Sequence, residues 1–140
     1  MTKAEKTVYL GQLTEVYGCI EEFTQKKFLT TDVITTSANI THMNEAENHP
    51  NSYAKYGHLL ADCFRCPDWI GAAKRGCYHV AKKFLFDDGK EEYLKIILQL
   101  KSETDPADYL NKVTTCFRMG QKNFGKLMRS KQVLYRREGV

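Results

Sequence analysis

The chain of 140 residues has no apolar run approaching the roughly 20 residues that a membrane-spanning helix needs, and its start, MTKAEKTVYL, lacks the apolar core of a secretory signal. No Gly/Ser linker, internal repeat or low-complexity tract interrupts it, and only three prolines punctuate it. These absences suggest one domain over residues 1–140, cytoplasmic and without a membrane partner. The cysteines are odd in number: Cys19, Cys63, Cys66, Cys77 and Cys116 are unevenly spread, which fits reduced thiols filling a core better than a disulfide framework. With 42% hydrophobic and 27% charged residues, the chain is too apolar for general disorder.

A net charge of +4 excludes molecule-wide attraction to nucleic acid, so the placement of charge matters more than its sum. Residues 118–137, RMGQKNFGKLMRSKQVLYRR, hold Lys and Arg but no acid, while an acidic excess lies in residues 87–108. Such a basic segment is either a phosphate-binding face or a solvated surface.

Periodicity predicts an amphipathic helix over Leu10 to Phe23, with Leu10, Leu13, Val16, Tyr17, Ile20 and Phe23 at helical spacing, then a short strand in DVITT. Ser37 or Asn39 is the expected cap of a helix over ITHMNEAE that ends before NHP. A further helix capped by Asn51 or Ser52 carries Tyr56, Leu59, Leu60, Cys63 and Phe64. The period then changes to two. CYHVAKKFLF, YLKIILQL and KVTTCFRM read as strands, with DDGK as a turn and Val113, Thr115, Phe117 and Met119 sharing one face of the last. A short helix with Phe124, Leu127 and Met128 precedes a terminal strand in QVLYRR. The order of helices before an antiparallel meander predicts an α+β fold with helices packed on one face of the sheet.

The segments YLGQL, TTDVITTSANITHM, HPNSYAKYGHLLADCFRCPDWI, YLKIILQLKSETDPADYLNKVTTCFRMG and KQVLYRRE together cover nearly the whole chain. In order and spacing they resemble the phage-associated nuclease-like domains grouped with barnase, EndoU, the tRNA-cutting colicins and RelE. The matching positions are Thr35 or Thr36, His42-Met43, His49-Pro50, Pro67-Asp68 and Thr115. The resemblance implies helices against a curved antiparallel sheet and metal-independent RNA cleavage. The chain departs from the pattern in two ways. The stretch MNEAEN between His42 and His49 is longer than usual, and Asn48 and Ser37-Ala38-Asn39 stand where relatives carry charged residues, arginine among them.

RNA cleavage of this kind needs a base for the ribose 2′-OH, an acid for the leaving 5′-oxygen and fixed positive charge at the phosphorus. Imidazole titrates near neutral pH, so His42 and His49 are the candidate acid and base, while His58 reads as helix surface. The plain alternative makes His42 a hydrogen-bonded core residue and His49 a loop residue. Thr115 either donates to a phosphate oxygen or satisfies a neighbouring carbonyl; Arg118 is placed to clamp a phosphate bidentately. Lys126, Arg129 and Lys131 would extend the surface along RNA, tRNA being one possible substrate.

A zinc site from Cys63-x-x-Cys66 with Cys77 and His79 competes weakly, because Cys63 lies on an apolar helix stripe and Cys77-x-His79 is no usual second half. The expectation is therefore no metal and no cofactor. Tyr53, Tyr56, Phe64, Trp69 and Tyr78 either stack bases or, as helical spacing favours, fill the core. Two functions follow. One is a phage or mobile-element ribonuclease-like protein acting by 2′-OH attack; the other is the same fold with its chemistry lost, binding a host defence or toxin component.

Overall fold

The computed structural model describes residues 5–74, 76–106 and 110–140. It is an α+β fold built on one seven-stranded sheet that does not close on itself. The strands are β1 (Thr7–Gln12), β2 (Asp32–Thr36), β3 (Trp69–Ala72), β4 (Cys77–Leu85), β5 (Glu91–Gln99), β6 (Lys112–Met119) and β7 (Val133–Arg136), in the spatial order β1-β2-β6-β5-β4-β3-β7. The helices are α1 (Gly18–Thr24), α2 (Ser37–Glu45), α3 (Ser52–Tyr56), α4 (Leu60–Arg65) and α5 (Gln121–Ser130). None of the described helices is long and apolar enough to cross a membrane.

β4, β5 and β6 form the expected meander, with a tight turn at residues 87–90 between the first two. The sheet is not wholly antiparallel, because β2 meets β6 in parallel at Ile34 and Lys112. The predicted helix from Leu10 is a strand in its first part. β1 pairs antiparallel with β2 through a register shift at Gly11, whose φ of +142 suits glycine, and helix α1 begins only at Gly18. Val8 and Leu10 alternate in the strand and Tyr17 and Ile20 turn inward after it, so two short periods imitated one long one. The helix predicted over residues 53–64 is broken by a 3-10 turn at Gly57–Leu59, where Gly57 lies close under the Tyr53 ring. Thr36, rather than Ser37 or Asn39, caps α2 by accepting the Asn39 N–H at 3.2 Å.

The main core joins one sheet face, including Tyr78, Val80, Leu94, Ile96 and Leu98, to Ile20 of α1, Met43 of α2 and Leu60, Cys63 and Phe64 of α4. Helix α5 belongs to a second, smaller cluster of Trp69, Ala81, Tyr93 and Phe124, on the opposite face. The helices therefore do not all lie on one face as predicted. Trp69 and Phe124 meet edge to face, and Phe124 stacks on Tyr93 with centroids 3.7 Å apart.

Candidate functional site

Strand alternation sends Tyr78, Val80, Leu94, Ile96 and Leu98 into the main core, which leaves Cys77, His79, Ala81, Tyr93, Lys95, Ile97 and Gln99 on the other face. β6 joins this face through a bulge. Ile97 pairs with Thr115 and Leu98 with Val113, so Thr114 is the extra residue. The bulge corrects the prediction that Val113 shares a face with Thr115 and Phe117: Val113 is in the main core.

Helix α5 covers only the Trp69–Ala81–Tyr93 end of that face. Beyond it lies an open groove of about 610 Å³, lined among others by Lys74, Cys77, His79, Gln99, Thr115 and Lys131. His79, Ile97 and Thr115 form one register row across β4, β5 and β6; Ala81, Lys95 and Phe117 form the next. Among the described residues no carboxylate lines the groove.

Lys95 is 7% exposed, and among the described residues no carboxylate pairs with it. Its Nζ lies 4.5 Å from the Phe117 ring centroid, and burial, with Lys131 nearby, pulls its pKa down to about 8. His79 is pulled down to about 4 by burial and then by Lys95 and Lys131, so its imidazole is neutral at physiological pH; its buried Nδ1 has no hydrogen-bond partner. Among the described residues the Thr115 hydroxyl makes no hydrogen bond, although a neighbouring carbonyl was one predicted partner. Burial raises the Cys77 thiol above its ordinary range, so it is not poised as a thiolate.

His49, on the loop after α2, does not line this groove; with Arg118 and Glu92 it lines a separate hollow of about 320 Å³. Its ring stacks on Phe117 with centroids 4.2 Å apart and planes 8° from parallel. Imidazole and ammonium thus both contact the Phe117 ring. The loop is fixed by Asn51 N–H donating to the Asn44 carbonyl at 2.9 Å, Ala54 N–H donating to Asn44 Oδ1 at 2.9 Å and Ser52 Oγ donating to the His49 carbonyl at 2.7 Å.

The other predicted residues divide. His42 is exposed on α2, and among the described residues no hydrogen bond or ring contact joins it to His49. Arg118 turns away from the groove: Nε donates to Glu92 at 2.6 Å, Nη2 donates to Asp88 at 2.8 and 3.0 Å, and the guanidinium lies 4.1 Å from the Phe86 centroid. Lys126 and Arg129 are exposed on α5; of the three predicted RNA-binding cations only Lys131 lines the groove. His58 is exposed, as predicted, in a separate hollow of about 420 Å³ beside Tyr56 and Phe86.

The weak zinc reading does not gather its ligands. Cys63 Sγ points at the Leu94 carbonyl inside the core while Cys66 is exposed, and no metal-type cluster of three His, Cys, Asp or Glu residues occurs among the described residues. Sequence reasoning missed Lys95, and His79 entered it only as a zinc ligand. The available signal was a lone lysine inside YLKIILQL, a run apolar on both sides of it. No family model, no curated protein and no solved structure matches the chain.

Proposed function

We propose that this chain is a ribonuclease-like, RNA-binding protein whose contact surface is the uncovered sheet face between α5 and the His49 loop. One observation carries the reading: the groove presents His79, Thr115, Lys131 and Lys74, with Lys95 and Phe117 in the adjoining row, and no carboxylate. A surface that gathers cations beside the stacked His49–Phe117 pair suits a polyanion carrying planar bases. Lys126 and Arg129 extend the positive charge along α5.

In this reading cleavage proceeds by attack of the 2′-oxygen on phosphorus. The 2′-OH proton passes to a base, the bond from phosphorus to the 5′-oxygen breaks, and that oxygen takes a proton from an acid. Lys95, with its pKa near 8, exchanges a proton far more readily than a solvated lysine, and His49 stacks on the ring that Lys95 contacts. These two stand where His42 and His49 stood in the sequence reading.

The engagement of Arg118 by Asp88 and Glu92 favours the second reading, a nuclease-type fold that binds without cutting. One assay separates them. Total RNA and a tRNA pool are incubated with the protein in EDTA, beside a Lys95→Met/His49→Ala variant. Fragments ending in 2′,3′-cyclic phosphate from the parent alone establish the nuclease. Salt-sensitive binding of intact RNA supports the binding protein, and failure to retain RNA at low salt rejects both RNA readings, leaving a host protein as the partner to seek.

A further inference from the structure

We infer that the Lys95 end of the groove is an oxyanion subsite, built by Lys95, His79, Thr115 and Lys131 to hold a phosphate group. The inference deepens the RNA reading by assigning where one phosphate sits, and it rests on that reading for the polymer but not for the anion.

His79 of β4, Thr115 of β6 and Lys131 line this part of the groove, and Lys95 of β5 stands in the adjoining register row. Lys95 is 7% exposed, and among the described residues its ammonium meets the Phe117 ring but no carboxylate. The Phe117 ring offers the ammonium a weak attraction and no counter-charge. Loss of the proton does not relieve the burial either, because a group titrating at about 8 is still mostly charged at neutral pH. His79 has a buried Nδ1 with no partner. The Thr115 hydroxyl, in the same register row, lines the groove without a hydrogen bond among the described residues. Lys131, just after α5, lines it as well and is close enough to act electrostatically on both Lys95 and His79.

A purely structural role gives none of these atoms a partner. One tetrahedral oxyanion offers acceptors to the two ammonium groups and the hydroxyl, while His79, whose Nδ1 is buried, forms part of the wall. The volume of about 610 Å³ leaves room for more than a bare ion, which suits a phosphate that is part of a nucleotide.

The test is titration of the protein with inorganic phosphate, against sodium chloride at matched ionic strength, followed by NMR shifts of the backbone amides and the Lys95 ammonium. The parent, Lys95→Met, Thr115→Val and a Lys6→Gln/Lys27→Gln control are compared, with folding of each checked by circular dichroism. The expected result is saturable binding with shifts centred on β4, β5 and β6, weakened roughly ten- to hundredfold by Lys95→Met, as loss of a charge-assisted hydrogen bond implies. Thr115→Val should weaken it less, and the control should bind as the parent does. Absence of saturation, or an equal loss in the control, overturns the subsite. RNA competition separates the two ideas: phosphate binding with no RNA binding keeps the subsite and rejects the RNA reading. RNA binding untouched by phosphate and by Lys95→Met does the reverse.

Discussion

His49 lies flat on Phe117, 4.2 Å between centroids, and the Lys95 ammonium lies 4.5 Å from the centroid of the same ring. A loop histidine is thereby fixed against the sheet, which His42, exposed on α2, is not. His49→Ala should lower stability by about 0.5–1.5 kcal/mol, the range for an aromatic pair, and His42→Ala should stay within about 0.5 kcal/mol of the parent. Urea unfolding of the two variants side by side checks this, and equal effects would contradict the stacking.

Lys95→Met should stabilise the protein at pH 7, because it replaces a largely buried lysine that has no carboxylate partner among the described residues, between Ala81 and Phe117. The pH dependence has a definite sign. The folded pKa of about 8 lies below the ordinary 10.5, so between those values the unfolded chain holds more protons, and stability rises with pH. The parent should close its gap to Lys95→Met across that window, by on the order of 3 kcal/mol in all. A gap that stays constant from pH 7 to pH 10.5 would show that Lys95 titrates as a solvated lysine.

His79 has the same sign at lower pH. Its folded pKa of about 4 lies below 6.5, so its contribution is complete above 6.5 and is lost as pH falls towards 4. His79→Phe should therefore flatten the acid limb of the stability curve between those values, measured by thermal unfolding in matched buffers. An unchanged limb would argue that His79 is protonated in the folded state.

Arg118 is paired with Asp88 and Glu92, and the Lys90 N–H with Arg118 keeps the Asp88 carboxyl below its ordinary range. Arg118→Gln should lower the melting temperature by more than an exposed substitution does, while leaving RNA affinity within about twofold. A tenfold loss of RNA affinity without destabilisation would return Arg118 to the phosphate-binding role read from the sequence.

Phe124 anchors α5 through Trp69 and Tyr93. Phe124→Ala should cost about 3–5 kcal/mol, the range for truncating a buried aromatic. If the helix loosens, RNA binding should lose part of its salt dependence, because Lys126 and Arg129 ride on it. Salt-dependent binding measured well below the melting temperature tests the second half of this expectation.

Local chemistry in the sequence determined the meander, the turn at residues 87–90, strand β2 and the last helix and strand, because each depends on neighbours a few residues apart. Strand β1 needed its partner β2, and β3, from WIGA, needed partners on both sides; neither announces itself by period alone. The site was half legible. His49, Thr115 and Lys131 were visible as residue types in a suggestive order, yet their company was set by the bulge at Thr114 and by the loop stacked on Phe117. Lys95 and His79 look like ordinary strand residues until three strands align and Lys95 is buried beside Phe117. Sequence spacing governs which face a side chain takes within one strand, whereas burial without a counter-charge is a property of the assembled sheet.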